Sequence, residues 1–436
     1  MKLRYKKTLQ LSERDCKNEA TRLAQYQSHL RRVVKTGRYA YPESSLRAPS
    51  DTAMQKEVLQ CIQRTVDSNL RSVFLVGIGG SNLGSKAVYD ALRSYSDVVV
   101  GTSSPKLYFI DTLNAKWIYE IRTQTSKLTN PSEFLIIIIS KSGTTTETIA
   151  SAEVIIDALS PSFRKNPDRF VVITNHDSAL WKVAIKNGWH TLAIQQLIGG
   201  RYSVFSPVGL FPLAAVGCDI RALCRGAVAM RSLCINGKFL NNPSLQSAIG
   251  VYLHMRRGIA VHDMFLFSPE LESLGKWYRQ LLAESIGKEY DVQGKKIGAG
   301  IVPTVSIGST DLHSMSQLYL GGPKNIFTTF VRVMHTVTIR VPKRGMMHGI
   351  VSGIESRLLS DIMNAILEGT EIAYAKAALP FVEVALDRVS ETELGAFFQW
   401  KMIEVMYLAK LLNINAFDQP NIESYKSEVR KRLVKR

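Results

Sequence analysis

The sequence predicts an α/β protein built from parallel sheets with helices on both faces. Three observations lead there. From about residue 51, short β-branched runs alternate with helical stretches, the pattern of strand–helix–strand units. The alternation pauses over a helical bridge at about 208–258 and then restarts, so two such units follow one another. The run 134–139 is unbroken apolar sequence, which suits a strand covered on both faces.

The elements follow in order. Residues 1–50 read as a polar helical segment ending near Tyr41-Pro42, and 54–68 as a helix. Strands are expected at 72–76, 106–110, 134–139 and 170–174. Past the bridge, 259–267 and 302–307 read as strands, with a helix around 277–286 between them. Two more strands are expected at 328–333 and 337–341. Helices fill about 351–376 and 391–412, with a last strand at 378–386. The halves read as two copies of one architecture, without a residue-level repeat.

Composition narrows the class. The 436 residues are 45% hydrophobic and 21% charged, a globular balance with enough apolar surface for sizeable cores. No apolar run approaches the roughly 20 residues of a membrane span. The first residues are basic, lack an apolar core and include acids, so no secretory signal is expected. Five cysteines, with no C-x-x-C, read as reduced thiols in a cytoplasmic protein. Eight scattered histidines show no metal-ligand spacing. The net charge of +18 is concentrated at the ends. Residues 1–50 hold twelve Lys/Arg against four Asp/Glu, and 421–436 hold six against two. The ends lack interleaved aromatics and any nucleic-acid motif, so they read as solvated helices rather than a nucleic-acid surface.

In open parallel sheets, ligands bind beyond the carboxyl ends of the strands, so the loops after Val76, Ile139 and Ile307 are the candidate sites. The second of these is the richest. Ser140, Lys141, Ser142, Thr144, Thr145, Thr146 and Thr148 crowd hydroxyls and one ammonium where a helix begins, with Gly143 to let the backbone bend. An ordinary helix cap needs one such hydroxyl. This many, beside unpaired N–H groups and a positive dipole end, predict a cage for a phosphate monoester. The loop matches neither the nucleotide P-loop nor G-x-G-x-x-G, so the ligand is a small phosphorylated molecule rather than a nucleotide.

Four weaker features gain meaning beside it. Gly77-Ile-Gly-Gly-Ser81 lets backbone approach a ligand closely, although glycine-rich turns are often structural. Gly199-Gly-Arg201 bares an arginine, either as an exposed turn or as a fixed guanidinium. Gln280 and Glu284 share a helix face, where a plain surface helix with a Glu284–Lys288 pair is the ordinary alternative. After 302–307, Ser309 or Thr310 is expected to cap a helix with His313 in its first turn. A lone histidine is more often structural than catalytic.

These segments, in this order, and above all GGRYSVFSPVG at 199–209 and FDQPNIESYK at 417–426, resemble the glucose-6-phosphate isomerase family in its shorter prokaryotic form. The resemblance spans about residues 54–430. It implies two sugar-isomerase (SIS) domains, each a parallel sheet flanked by helices, with helical terminal segments. The expected division is 1–50 (basic N-terminal segment), 51–235 (first SIS domain), 236–412 (second SIS domain) and 413–436 (a C-terminal segment that contributes to the active site). The implied activity is the reversible isomerisation of glucose 6-phosphate and fructose 6-phosphate through a cis-enediol(ate), with no metal or organic cofactor. By motif, Ser140, Lys141, Ser142, Thr145 and Thr148 would hold the phosphate, and Gly80 and Ser81 would touch the sugar. Glu284 would carry the proton between C1 and C2, and Arg201 would stabilise the enediolate. His313 and Lys426 would assist ring opening, and Gln280 and Gln419 would bind substrate. The resemblance also implies a homodimer in which His313 reaches the site from the partner subunit.

The residue types fit the chemistry. A proton α to a carbonyl needs a positioned carboxylate to take and return it. The charge left on oxygen needs a cation that keeps its proton, which favours arginine. Asn421 departs from the family, which usually has Gly or Ala there, and is expected to survive because Asn tolerates left-handed backbone. Two other functions stay in view. A sugar-phosphate sensor would need the phosphate loop but not Glu284, Arg201, His313 and Lys426 together. A broader isomerase would also accept mannose 6-phosphate, a choice that rests on pocket shape.

Overall fold

The computed structural model describes residues 1–4, 8–101 and 105–434. Lys6, Lys7, Lys435 and Arg436, part of the basic ends, lie outside the described residues. In chain order the strands are β1 (Lys2–Arg4), β2 (Ser72–Val76), β3 (Lys106–Ile110), β4 (Phe134–Ser140), β5 (Phe170–Thr174) and β6 (His190–Ala193). After the helical bridge come β7 (Val261–Leu266), β8 (Lys288–Tyr290), β9 (Lys296–Ala299), β10 (Val302–Ile307), β11 (Ile326–Val333) and β12 (Phe381–Leu386).

The first sheet runs β3-β2-β4-β5-β6, all parallel. Its strand order reverses between β2 and β4, so the loops leaving these two strands flank the crevice where doubly wound sheets bind ligands. β4 shows why the sequence builds this centre. All seven of its residues are buried. Leu135, Ile137 and Ile139 join the core on one face, and Phe134, Ile136 and Ile138 the core on the other. Side chains alternate along a strand, so one apolar run fills two cores. Each such side chain contributes about 1.5–3 kcal/mol by leaving water.

The second sheet runs β1-β12-β11-β7-β10. β7, β10, β11 and β12 are parallel and repeat the winding of the first sheet. The sheets are bridged by helices Ile220–Asn236 and Glu391–Leu411, the latter buried nearly all round. These two cross with backbones in contact. A Cβ on Gly226 would lie 1.9 Å from the Thr392 carbonyl oxygen, and one on Gly395 1.9 Å from that of Leu223.

Four expectations are corrected. No strand forms at 337–341, where a single bridge joins Arg340 to Leu358. Val337 and Ile339 are 79% and 56% exposed, so the alternation there has no sheet to pair with. The N-terminal segment is not wholly helical, because β1 adds antiparallel to β12. The helix expected from 351 begins at Leu359. His313 is not in a helix's first turn but closes a short turn at Thr310–Leu312, and Ser309 makes no side-chain cap. β6 and the β8–β9 hairpin went unpredicted, being short and partly polar. All five cysteines are unpaired and buried, and burial raises their thiols above the usual range.

Candidate active site

Two polar clusters meet at the first-sheet crevice. The first is the hydroxyl loop after β4. Gly143, at φ +71°, turns the chain so that its N–H and the Thr145 hydroxyl both reach the Ser140 hydroxyl, at 3.1 and 2.8 Å. Because Thr145 turns back to Ser140, it does not cap helix Thr146–Ala158. The first-turn amides of Thr146, Glu147 and Thr148 are therefore left without acceptors. That is a helix N-terminus open to an anion. Ser142 is exposed and bonds Thr144, while the buried Thr148 hydroxyl has no partner. Burial, and then the Arg201 charge, pull the Lys141 ammonium below the usual lysine range.

The second cluster surrounds Arg201, which is 3% exposed. Gly80 and Gly200 explain how it arrives there. A Cβ on Gly80 would sit 2.2 Å from the Gly200 carbonyl carbon, so only glycine lets the loop after β2 lie against the Gly199–Arg201 backbone. The Ser203 hydroxyl ties the two loops, donating to the Gly200 oxygen at 2.6 Å or to the Gly80 oxygen at 3.2 Å. Arg201 then uses its guanidinium fully. Nε donates to Ser285 at 2.8 Å, Nη1 to Glu284 and Gln419 at 3.1 and 3.2 Å, and Nη2 to the Ala416 and Asp418 carbonyls at 2.6 and 3.2 Å.

Glu284 lies near the end of helix Glu272–Ile286. One carboxylate oxygen accepts from Arg201, and the other accepts from Gln280 Nε2 at 2.9 Å. Spacing of four residues on one helix face brings that amide to it. The carboxylate is thus held at both oxygens while about a third of the side chain stays exposed. A carboxylate fixed in orientation and reachable from solvent suits proton transfer to a bound ligand.

A model of the family described as phosphoglucose isomerase matches residues 60–435. The chain belongs to the phosphoglucose isomerase family. A glucose-6-phosphate isomerase of Methanocaldococcus jannaschii is 34% identical over 358 residues, 81% of this chain and 82% of that one. One from Thermus thermophilus is 30% identical over 388 residues, 88% and 89% of the two chains. Among solved structures, a hypothetical protein from Thermus thermophilus superposes with a TM-score of 0.85 at 28% identity, covering 99% of both chains. A glucose-6-phosphate isomerase from Chlamydia trachomatis shares the fold, with a TM-score of 0.78 at 19% identity, covering 97% of this chain and 86% of that one.

For this phosphoglucose isomerase family member, most sequence-predicted residues converge. Arg201, Gln280, Glu284 and Gln419 touch one another, and Gly80 backs them. Ser81 lies in the turn beside Gly80 and is half-buried. Ser142 and Thr145 share a cleft with Lys426, and Ser140 and Lys141 lie in the same loop. His313 joins neither cluster. It is exposed and its ring makes no hydrogen bond.

Three supporting residues were missed. Ser285, fully buried, bonds both Arg201 and the Tyr202 hydroxyl. Lys288 does not pair with the Glu284 carboxylate. It donates to the Glu284 carbonyl at 2.8 Å and the Asp418 carbonyl at 2.6 Å, tying the C-terminal segment to the end of the Glu284 helix. Glu147 lines the cleft opposite Lys426. All three sit inside motifs already singled out, but the Ser285–Arg201 and Lys288–Asp418 contacts join segments far apart in sequence. Asn421 needs no left-handed backbone: it sits in the Pro420–Ile422 turn, and its amide donates to Glu289 at 3.0 Å.

Among the described residues, no group of three or more His, Cys, Asp or Glu side chains is placed to hold a metal ion. Among them, no helix is long and apolar enough to cross a membrane.

Proposed function

We propose that this chain interconverts glucose 6-phosphate and fructose 6-phosphate, with Glu284 moving the proton between C1 and C2. Family membership supports the reaction. The Glu284 carboxylate, oriented by Arg201 and Gln280 beside the hydroxyl loop, is the observation that carries the mechanism. The phosphate would bind Ser140, Ser142 and Thr145 and the free amides of helix Thr146–Ala158, with Lys141 and the buried Thr148 supporting the loop. Gly80 and Ser81 would face the sugar. Arg201 would turn one Nη1 hydrogen bond from Gln419 to the enediolate oxygen, placing a fixed charge where the negative charge develops. Gln280 and Gln419 would orient the chain of hydroxyls.

Ring opening would use Lys426 and His313. Since His313 stands apart from Glu284 within one chain, a homodimer in which a second copy supplies it fits the arrangement best. The division at residues 50, 235 and 412 is likewise proposed. The test is a coupled assay with fructose 6-phosphate, with mannose 6-phosphate alongside, in EDTA. Turnover and exchange of the fructose 6-phosphate C1 hydrogen with deuterated water are expected. Absence of both would refute the function. For the shared site, inactive His313→Ala and Glu284→Gln chains are mixed after dissociation. Hybrids should regain activity, and inactive hybrids with demonstrated exchange of chains would place the whole site in one subunit.

A further inference from the structure

A cleft of about 260 Å³ separates the hydroxyl loop from the C-terminal helix Glu423–Val434. Ser142 and Thr145 line one wall, and Lys426 and Arg430 line the other. Lys426 and Arg430 are four residues apart, on one face of the helix. Glu423 holds both, at 3.6 Å from Lys426 Nζ and 3.2 Å from Arg430 Nη2. With Glu147 also at the cleft, two cations face two carboxylates. With Glu423 engaging both cations, a dianion at the hydroxyl loop gains their charge only if that carboxylate withdraws.

Glu423 is the one free to do so. Its side chain is 60% exposed, so turning it into water costs little. Its helix has no buried residue along its length, so no core packing opposes a small shift. The vacated arginine offers a planar fork that matches phosphate oxygens.

We propose that Arg430 is a second cation for the substrate's phosphate, and that Glu423 is the counter-ion which the phosphate displaces. This rests on the hydroxyl loop being the phosphate site, and it adds a residue that the motifs do not assign. The two residues should act with opposite sign. Glu423 competes with the ligand and Arg430 binds it.

The experiment measures inorganic phosphate as a competitive inhibitor, and KM for fructose 6-phosphate, at constant ionic strength. Arg430→Gln should weaken phosphate inhibition and raise KM by about three- to tenfold, with kcat held within about twofold. Arg430→Lys should fall between. Glu423→Gln should strengthen phosphate inhibition by about two- to fivefold. A merely structural role for the helix would weaken binding in both variants. Weaker or unchanged phosphate inhibition in Glu423→Gln overturns the displacement, and unchanged inhibition in Arg430→Gln overturns the arginine as ligand. If the unaltered enzyme turns over but phosphate does not compete, the phosphate site itself is misplaced and this inference falls with it. If phosphate competes in the unaltered enzyme and neither variant responds, only this inference falls.

Discussion

The two sheets share a winding and differ in what stands at the reversal of strand order. In the first, the reversal lies between β2 and β4, and in the second between β7 and β11. The loop after β4 reaches its helix within a few residues and crowds hydroxyls at an uncapped N-terminus. The loop after β11 runs over residues 334–358 before its helix, exposed and carrying Val337, Met346 and Met347. Topology supplies a crevice in both sheets, but only the first crowds hydroxyls at an uncapped helix start there. The interiors diverge in the other direction. The third residues of the paired strands form the row Phe74, Tyr108 and Ile136 in the first sheet, and Asp263, Thr304 and Thr328 in the second. Asp263 is fully buried, with one oxygen accepting from Thr304 and Ser306 and the other unpartnered. Polarity gathers at the mouth of one sheet and in the interior of the other.

If that contrast is right, changes at the first-sheet crevice should strike activity, and changes in the second-sheet row should strike stability. The largest effect should come from Glu284→Gln, which keeps shape but removes the base. Turnover should fall by about 10²–10⁴, and C1 exchange into deuterated water should vanish. Exchange at the unaltered rate would assign the base elsewhere. His313→Ala should retain exchange on an open-chain phosphorylated four-carbon aldose, which has no ring to open. Equal loss of exchange in both variants on that substrate would merge the two roles.

Arg201→Lys should cost about 10²–10³ in kcat, because an ammonium cannot reproduce five hydrogen bonds to groups on two distant segments. A kcat within about threefold of the unaltered enzyme would remove the guanidinium from the mechanism.

Asp263 should report on the second sheet through pH. Burial raises its carboxyl from an ordinary value of 3.8 to about 6. The folded state therefore binds more protons than the unfolded one between about pH 4 and 6. Its contribution is fully present below about pH 4 and is lost as pH rises to about 6, by roughly 2–3 kcal/mol. Asp263→Asn removes this dependence. Denaturant unfolding of the two proteins should show the variant gaining on the parent by that amount across the window, with KM unchanged. A constant difference across pH would mean that Asp263 ionises normally. The smallest effect belongs to Thr145→Val, which strips one hydroxyl from the loop and should raise KM by about five- to tenfold at constant kcat. An equal rise from removing a hydroxyl in the second-sheet row would abolish the contrast.

The sequence by itself determined the strands that build both sheet centres and the chemistry of the loop after β4. Those signals are local: alternation of apolar residues marks a strand, and the crowded hydroxyls all lie within one loop and the helix start that follows it. The same locality misled at 337–341, where alternation without a neighbouring strand left exposed loop. It was blind to β1, whose three residues gain a strand's hydrogen bonds only because β12 offers an edge. The roles proposed for Arg201, Gln280, Glu284 and Gln419 rest on family resemblance, since spacing alone allowed a surface helix and an exposed turn. Tertiary structure alone decided that Gly80 and Gly200 touch through backbone, that Arg201 directs Nη2 to the Ala416 and Asp418 carbonyls, and that Lys288 ties Asp418 to the Glu284 helix. Each is a contact between segments about 120 or more residues apart. Such contacts follow from how packed layers bring loops together, and no local pattern encodes them.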